Sequence, residues 1–154
     1  ANLTLLNEDH DNAEPTADLL VRTSSLKGCV IEGDIIPTLI DELPTIAMMA
    51  CFAEGTTVIR DAAELKVKES NRIAIMVENL RSMGADVEET DDGMIIHGGK
   101  PLHGAVIDSH KDHRIAMTFA VAALAAEGET EILDADCVNI SYPAFYEELK
   151  RLTE

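Results

Sequence analysis

A cluster of charged residues between Lys66 and Arg72 is the part of the sequence best suited to binding an anion. The segment reads Lys-Val-Lys-Glu-Ser-Asn-Arg and holds three cations and one carboxylate in seven residues. Apolar residues then recur at helical spacing, which predicts an amphipathic helix beginning near Glu69 or Ser70. The residues of this apolar face are Ile73, Met76, Val77, Leu80 and Met83. Since a helix N-terminus carries free N–H groups and a partial positive charge, the cluster predicts a phosphate or carboxylate site. A solvated, charged helix end is the alternative.

A second charged segment, Lys-Asp-His-Arg at residues 111–114, precedes another apolar, helix-forming stretch. We expect Asp112 to cap that helix and Arg114, at the helix start, to contact an anion. His110 and His113 have a spacing that metal ligands also use, but the sequence places no third strong ligand beside them. The segment therefore predicts anion binding rather than a metal site.

Three carboxylates are candidates for moving protons. Asp41 and Glu42 have apolar neighbours on both sides, so partial burial could suit one of them to acid or base chemistry. Capping of a helix near Pro44 is the alternative for this pair. Glu69 lies between Lys68 and Arg72, whose charges favour its ionised form unless desolvation outweighs them.

The chain contains an internal repeat that organises these residues. Residues 53–62 resemble 126–135 at an offset of 73, and residues 26–32 resemble 102–108 at an offset of 76. The pattern predicts an α/β (α+β) fold of two βαβαββ units, in one domain spanning 1–154, with repeats at about 1–84 and 85–154. Each unit has a helix buried nearly all round, predicted at 44–53 and 115–126, followed by a strand and an amphipathic helix. In the second unit that amphipathic helix spans 143–152, with Phe145, Leu149 and Leu152 facing inward.

The repeat also brings the charged residues into correspondence. The offset of 73 aligns Asp41 with Arg114, and each lies near the start of a buried helix. Three helix starts, near Asp41, Glu69 and Arg114, are therefore expected to point the same way. This arrangement predicts an anion-binding catalytic site with a carboxylate pair and several cations at one cationic rim, rather than a metal site.

Composition narrows the class of protein. A formal net charge of -17 over 154 residues argues against nonspecific binding to nucleic acid or an anionic membrane. The three cysteines, Cys29, Cys51 and Cys137, lack metal-binding spacing and are expected to be reduced core thiols of a cytoplasmic protein. Glycine-rich nucleotide motifs and the Gly-x-Ser-x-Gly motif are missing from the sequence. Because the chain opens with Ala directly in a strand-like segment, we expect a piece of a longer protein.

Six segments, in order and together, resemble the 5-enolpyruvylshikimate-3-phosphate synthases (3-phosphoshikimate 1-carboxyvinyltransferases). They are residues 39–44, 53–57, 64–72, 83–87, 112–117 and 141–143. The resemblance covers essentially the whole chain but only the C-terminal third or so of that enzyme, which the family builds as two domains of three βαβαββ units each. It implies that the buried helices direct their N-termini toward an interdomain cleft, and that the N-terminal domain is a partner.

The resemblance also implies a reaction. The family transfers the enolpyruvyl group of phosphoenolpyruvate to the 5-hydroxyl of shikimate 3-phosphate, without a metal or other cofactor. Carried over by motif, Asp41 resembles the carboxylate that contacts shikimate 3-phosphate and accepts the hydroxyl proton, and Glu69 resembles the group that moves a proton at the methylene carbon. Lys68 resembles a contact to shikimate 3-phosphate. Arg72 and Arg114 resemble the phosphoenolpyruvate clamps, and His113 lies nearby. Without its other domain the chain is expected to be inactive.

Two departures and two alternatives accompany this interpretation. Ile140 stands where many members have a lysine that contacts phosphoenolpyruvate, and Glu64 stands where some have an asparagine. One alternative is the enolpyruvyl transferase that acts on UDP-N-acetylglucosamine, whose motifs match less well. The other is a noncatalytic anion-binding module of the same fold, against which the presence of Asp41, Glu69, Arg72 and Arg114 argues.

Overall fold

The computed structural model describes residues 1–11 and 13–153, so Asn12 and Glu154, both within the predicted range 1–154, lie outside the described residues. The strands are β1 (Asn2–Asp9), β2 (Thr16–Arg22), β3 (Val30–Ile31), β4 (Thr56–Ile59), β5 (Asp86–Glu89), β6 (Met94–His97), β7 (Val106–Asp108) and β8 (Glu131–Leu133). The α-helices are α1 (Ile36–Leu39), α2 (Leu43–Cys51), α3 (Arg72–Ser82), α4 (His113–Ala123) and α5 (Phe145–Thr153). Short 3-10 helices span Gly33–Ile35, Ala63–Val67 and Ala135–Ile140.

The strands form three sheets, and the central one joins the two halves of the sequence. It has the order β3-β4-β6-β5, in which β3 is parallel to β4 and the hairpin β5-β6 adds to β4 in the antiparallel sense. The hairpin β1-β2 and the parallel pair β7-β8 form the other two sheets. The mixed α/β fold expected from the sequence is therefore confirmed.

The same succession of elements occurs twice. An antiparallel hairpin (β1-β2, then β5-β6) precedes a short strand, a helix, a strand parallel to the short one, a 3-10 helix and a last helix. The first repeat also has the 3-10 helix Gly33–Ile35 and α1 before its helix α2. Gly28 and Gly104 occupy matching places, because a Cβ built on either would lie about 2 Å from a backbone oxygen, that of Thr56 or Glu129. Two backbone segments approach this closely only where no side chain intervenes.

Replacing Gly104 with alanine is expected to destabilise the fold by about 1 to 3 kcal/mol, the usual range for overpacking a closely packed site. The new Cβ would meet the carbonyl oxygen of Glu129 at 2.0 Å, so the backbone must move. Urea unfolding measures the effect, and Gly28→Ala, with its contact to Thr56 at 2.2 Å, should act in the same direction. Ser82→Ala, at an exposed helix position, is the control and should stay within about 0.5 kcal/mol. Unchanged stability of both glycine variants would contradict the packing described here.

The core forms between the helices and the central sheet. The predicted apolar face of α3 is confirmed, since Ile73, Met76 and Leu80 are fully buried. One turn before its end, Asn79 donates to the carbonyl oxygen of Asp108 and accepts from its N–H, at 2.9 and 3.1 Å, which fastens α3 to β7. The first repeat thus packs through α3 on the second repeat.

The buried helices α2 and α4 lie side by side in matching register. Thr45 and Thr118 are separated by 73 residues, the repeat offset, and their hydroxyl oxygens are 3.3 Å apart. The expectation that both helices are buried nearly all round is wrong in part, because Met49, Val121 and Leu124 are at least one-third exposed. These side chains lie on faces that no described element covers.

Two further expectations about burial need correction. Leu152 was expected inside, but it is 76% exposed, and α5 contains no fully buried residue. Cys29 is exposed, whereas Cys51 and Cys137 are buried as expected, and all three are free thiols. In both cases the side chain lies on a surface that nothing in residues 1–11 or 13–153 covers. Within the same residues, every helix is too short or too polar to cross a bilayer.

Candidate active site

Asp41 lies where the N-terminal ends of α2, α3 and α4 meet, and it joins the predicted site residues. Its carboxylate is 3.0 Å from Nη1 of Arg72, 3.5 Å from Nη2 of Arg114 and 4.0 Å from Nζ of Lys68. Arg72 in turn contacts Glu69. The structure therefore brings together all five residues that the sequence placed at one rim, although they span 73 positions of the chain.

Arg72, the first residue of α3, is the buried centre of the site. Its side chain is only 1% exposed, because three carboxylates surround the guanidinium. Asp112 accepts from Nε at 2.8 Å and from Nη2 at 3.3 Å, Asp41 accepts from Nη1 at 3.0 Å, and Glu69 accepts from Nη2 at 2.6 Å. Burial alone would lower the pKa of Arg72, but Asp112, Glu69 and Asp41 raise it above its ordinary value.

Asp112 links this arginine to the start of α4. Its predicted capping role is confirmed, since Oδ1 accepts from the backbone N–H of Arg114 at 2.9 Å. The side chain is fully buried and also accepts from the hydroxyl of Ser70 at 2.8 Å. Burial raises the pKa of Asp112, but the hydrogen bonds and charge of Arg72, with Ser70 and the Arg114 N–H, hold it below its usual value. The stabilisation from ionised Asp112 is thus present at neutral pH and is lost in acid, as pH falls through that lowered pKa.

Arg114 contacts the opposite side of Asp41. Its guanidinium donates to the backbone oxygen of Asp41 at 3.1 Å and lies 3.4 Å from the carboxylate of Glu42. The side chain is one-third exposed, in contrast to Arg72. Asp41 itself is 42% exposed, which agrees with the expected partial burial of this carboxylate. Arg114 can therefore reach a ligand without large rearrangement of the helices.

Lys68 has a close partner that the sequence interpretation did not include. Glu64, one of the two departures from the family pattern, lies 2.8 Å from Nζ of Lys68 at i, i+4 spacing. The hydrogen bond from Lys68 to Glu64 raises the pKa of the lysine, so it stays charged through the neutral range. An anion binding at Lys68 therefore competes with Glu64 as well as with Asp41.

The remaining candidates contribute less. Glu42 is the N-cap residue of α2, but its side chain makes no capping hydrogen bond, so the capping alternative is not supported for it. His113 is the first residue of α4 and is half-buried, next to Arg114 in the chain. Ile140 is 75% exposed and lines an open pocket together with Lys111. Among residues 1–11 and 13–153, no group of three His, Cys, Asp or Glu side chains is arranged to hold a metal ion.

The charge of the site differs from the expected cationic rim. Three cations, Lys68, Arg72 and Arg114, face five carboxylates, those of Asp41, Glu42, Glu64, Glu69 and Asp112. The cations are therefore already paired: Lys68 contacts Glu64, Arg72 contacts Asp41, Glu69 and Asp112, and Arg114 contacts Asp41 and Glu42. An anion can bind to such a network when it replaces one of the carboxylates as the partner of a cation. The half-exposed Asp41 and Glu69 can also donate or accept protons.

Comparison with known proteins gives one consistent result. Residues 8–149 match the sequence model of the EPSP synthase (3-phosphoshikimate 1-carboxyvinyltransferase) family. The chain is 61% identical over 139 residues to 3-phosphoshikimate 1-carboxyvinyltransferase from Synechococcus sp. (strain JA-3-3Ab), covering 90% of this chain and 31% of that protein. It is 56% identical over 154 residues to the enzyme of the same name from Alkaliphilus oremlandii (strain OhILAs), covering 100% of this chain and 36% of that protein.

Solved structures agree. EPSP synthase from Acinetobacter baumannii superposes with a TM-score of 0.92 at 44% identity, covering 97% of this chain and 36% of that one. The enolpyruvyl transferase NikO from Streptomyces tendae shares the fold, with a TM-score of 0.67 at 20% identity, over 98% of this chain and 32% of that one. The chain thus spans about a third of the length of the curated relatives it matches.

Proposed function

The chain belongs to the EPSP synthase family, and we propose that it is part of an enzyme that transfers the enolpyruvyl group of phosphoenolpyruvate to the 5-hydroxyl of shikimate 3-phosphate. Phosphate is the second product. The observation that carries this proposal is the meeting of Asp41, Glu69, Arg72 and Arg114 in one network, because both substrates are anions and the reaction needs proton transfer at two substrate atoms, the 5-hydroxyl oxygen and the methylene carbon.

Two carboxylates are proposed as the proton-transferring groups. Asp41 would accept the proton of the 5-hydroxyl as its oxygen bonds to C2 of phosphoenolpyruvate, while Glu69 would deliver a proton to the methylene carbon C3. The resulting tetrahedral intermediate loses phosphate when Glu69 takes a proton back from C3, and the leaving phosphate takes the proton that Asp41 had accepted, so both carboxyl groups return to their starting states. The partial exposure of both side chains, 42% for Asp41 and 54% for Glu69, supports access to a substrate from the open side of the network.

The three cations are proposed to hold the substrates. Arg72 and Arg114 would bind the carboxylate and phosphate of phosphoenolpyruvate, since a guanidinium can donate two parallel hydrogen bonds to either group. Lys68 would contact shikimate 3-phosphate, with His113 beside the phosphoenolpyruvate. Donors that the fold holds in place before the reaction stabilise a charged intermediate more than freely reorienting water does, and this is proposed as the main source of rate.

The rest of the enzyme is proposed to complete the site. Because the described cations are outnumbered by carboxylates, a site for two phosphorylated substrates requires further cations, and we propose that the N-terminal domain supplies them across a cleft. Residues 1–154 would form one partial domain with repeats at about 1–84 and 85–154. On this proposal the 154-residue chain alone gives no turnover.

The test is phosphate release by the purified full-length enzyme. Release that requires both phosphoenolpyruvate and shikimate 3-phosphate is the expected result. Release with UDP-N-acetylglucosamine in place of shikimate 3-phosphate would support the sister enzyme instead. Binding of either anion without release from any combination would support the noncatalytic module.

Arg114→Ala in the full-length enzyme is expected to lower kcat/KM for phosphoenolpyruvate by an amount equivalent to about 2 to 4 kcal/mol, the scale for losing one partner of a desolvated charged pair. The variant also removes two hydrogen bonds to Asp41, because the Arg114 guanidinium donates to the backbone oxygen and to the carboxylate of that residue. Steady-state kinetics measure the change. Arg81→Ala removes a guanidinium at the far end of α3, where it donates to the carbonyl oxygen of Val87, and should leave kcat/KM unchanged. Equal effects of the two variants would overturn the clamp assignment.

A further inference from the structure

We propose that Asp112, with Ser70, is a positioning residue that fixes the orientation of Arg72 and leaves one edge of its guanidinium for exchange with an anionic substrate. This inference rests on the proposed function, in which Arg72 binds phosphoenolpyruvate. From the local sequence, Asp112 is expected only to cap α4, so the positioning of Arg72 is an additional role.

The hydrogen bonds of Arg72 divide into two groups. Asp112 accepts from Nε and Nη2, at 2.8 and 3.3 Å, and this carboxylate is fully buried. Asp41 and Glu69 accept from Nη1 and Nη2, at 3.0 and 2.6 Å, and these carboxylates are 42% and 54% exposed. A buried partner has no alternative interaction with solvent, whereas a half-exposed one can turn to water. Asp112 is therefore the permanent partner, and Asp41 and Glu69 are the exchangeable ones.

Ser70 and the α4 backbone hold Asp112 itself in place. The Ser70 hydroxyl donates to Oδ2, and the Arg114 N–H donates to Oδ1. Both carboxylate oxygens are thus fixed before any ligand arrives. Since the same carboxylate contacts the Arg72 side chain and the Arg114 backbone, it also sets the position of one predicted clamp relative to the other.

Access to Arg72 then requires movement of Asp41 or Glu69. The guanidinium is only 1% exposed, so an anion reaches Nη1 or Nη2 by displacing one of these two carboxylates. The displaced group is one of the two proposed proton-transferring residues. Binding of phosphoenolpyruvate at Arg72 would therefore release Asp41 or Glu69 for proton transfer.

The decisive variant is Asp112→Asn in the full-length enzyme. Asparagine keeps the size and one accepting oxygen, but its amide N–H groups would face the N–H groups of Arg72 or the Arg114 backbone. We expect KM for phosphoenolpyruvate to rise about 10- to 100-fold, by analogy with the loss of groups that orient metal ligands, with a much smaller change in KM for shikimate 3-phosphate. Ser70→Ala, which leaves the carboxylate in place, should cause a smaller change in the same direction.

Asn79→Ala is the matched control. Asn79 is also a buried polar residue that joins the two repeats, but it bonds the backbone of Asp108 rather than Arg72. This variant should lose stability without a selective rise in KM for phosphoenolpyruvate. If Asp112→Asn and Ser70→Ala change both KM values no more selectively than Asn79→Ala does, the positioning role is excluded while the proposed function stands.

A readout independent of turnover is the Nε–H resonance of Arg72 in the ¹⁵N-labelled enzyme, assigned by its loss in Arg72→Lys. A guanidinium held by a buried carboxylate exchanges this proton slowly, so the signal should persist in wild-type and Asn79→Ala proteins. It should broaden or disappear in Asp112→Asn and weaken in Ser70→Ala. An unaltered signal in a folded Asp112→Asn variant, or in Ser70→Ala if Asp112→Asn does not fold, would overturn the inference. Absence of wild-type turnover would instead count against the proposed function.

Discussion

Replacing Arg72 with alanine is expected to remove turnover and to destabilise the protein by about 3 to 5 kcal/mol. The stability loss follows because Asp112 would remain buried without its cationic partner, and removal of one member of a buried ion pair costs about this much. The catalytic loss follows because the proposed phosphoenolpyruvate clamp is gone. Denaturant unfolding and phosphate release by the full-length enzyme measure the two effects.

Arg72→Lys separates the two contributions. Lysine keeps a positive charge near Asp112 but cannot reproduce the bonds that Nε, Nη1 and Nη2 make to three different carboxylates. It should recover part of the stability and little of the kcat/KM for phosphoenolpyruvate. Arg81→Lys, in the last turn of the same helix, is the matched control and should behave as wild type. Full activity of Arg72→Lys would show that the forked geometry of the guanidinium is not needed.

Glu69→Gln is expected to lower kcat by about 10²- to 10⁴-fold, the usual contribution of a positioned acid or base. Glutamine can still accept the hydrogen bond from Arg72 through its amide oxygen, so the network should survive while proton transfer at the methylene carbon is lost. Burst and steady-state measurements of phosphate release test this. Asp41→Asn should reduce kcat on the same scale, because it removes the proposed proton acceptor.

Glu42→Gln is the control for both carboxylate variants. Glu42 adjoins Asp41 and lies 3.4 Å from Arg114, yet it has no proposed part in proton transfer. Its kcat should stay within a few-fold of the wild-type value, in line with an exposed ion pair of small energetic weight. A Glu69→Gln enzyme with wild-type kcat would rule out Glu69 as the proton-transferring group.

The sequence predicted those parts of the fold that depend on periodicity and repetition. The apolar spacing from Ile73 to Met83 located α3, because a helix that buries one face must repeat its apolar residues every three or four positions. The offset of 73 paired Asp41 with Arg114, and the structure places these two residues in contact. Repetition was informative here because repeats that pack side by side bring equivalent helix ends together.

The missed interactions depend on partners far apart in sequence. Asp112 satisfies a local capping rule, so nothing nearby signals its bond to Arg72, 40 residues away. The predicted cationic rim failed for a similar reason, since net charge at a helix start does not reveal which carboxylates fold back over it. Glu64 is the exception, because its i, i+4 spacing from Lys68 could have indicated the ion pair.

Errors in burial arose where one face of an element has no covering partner. Cys29 and Leu152 were assigned to the core from their apolar neighbours, yet both are exposed. Periodicity states which side chains share a face, but it does not state whether another element covers that face. Since the chain spans about a third of its curated relatives, the core that the pattern implies and the core that these residues form can differ.

The most direct test is the crystal structure of the full-length Glu69→Gln enzyme with phosphoenolpyruvate and shikimate 3-phosphate bound. We expect phosphoenolpyruvate within hydrogen-bond distance of the guanidinium groups of Arg72 and Arg114, with the 5-hydroxyl of shikimate 3-phosphate beside Asp41. Arg72 should keep both bonds to Asp112 and should have lost its bond to Asp41 or to residue 69. Both ligands bound away from these side chains, with the network of Asp41, Arg72 and Arg114 unchanged, would contradict the proposed site.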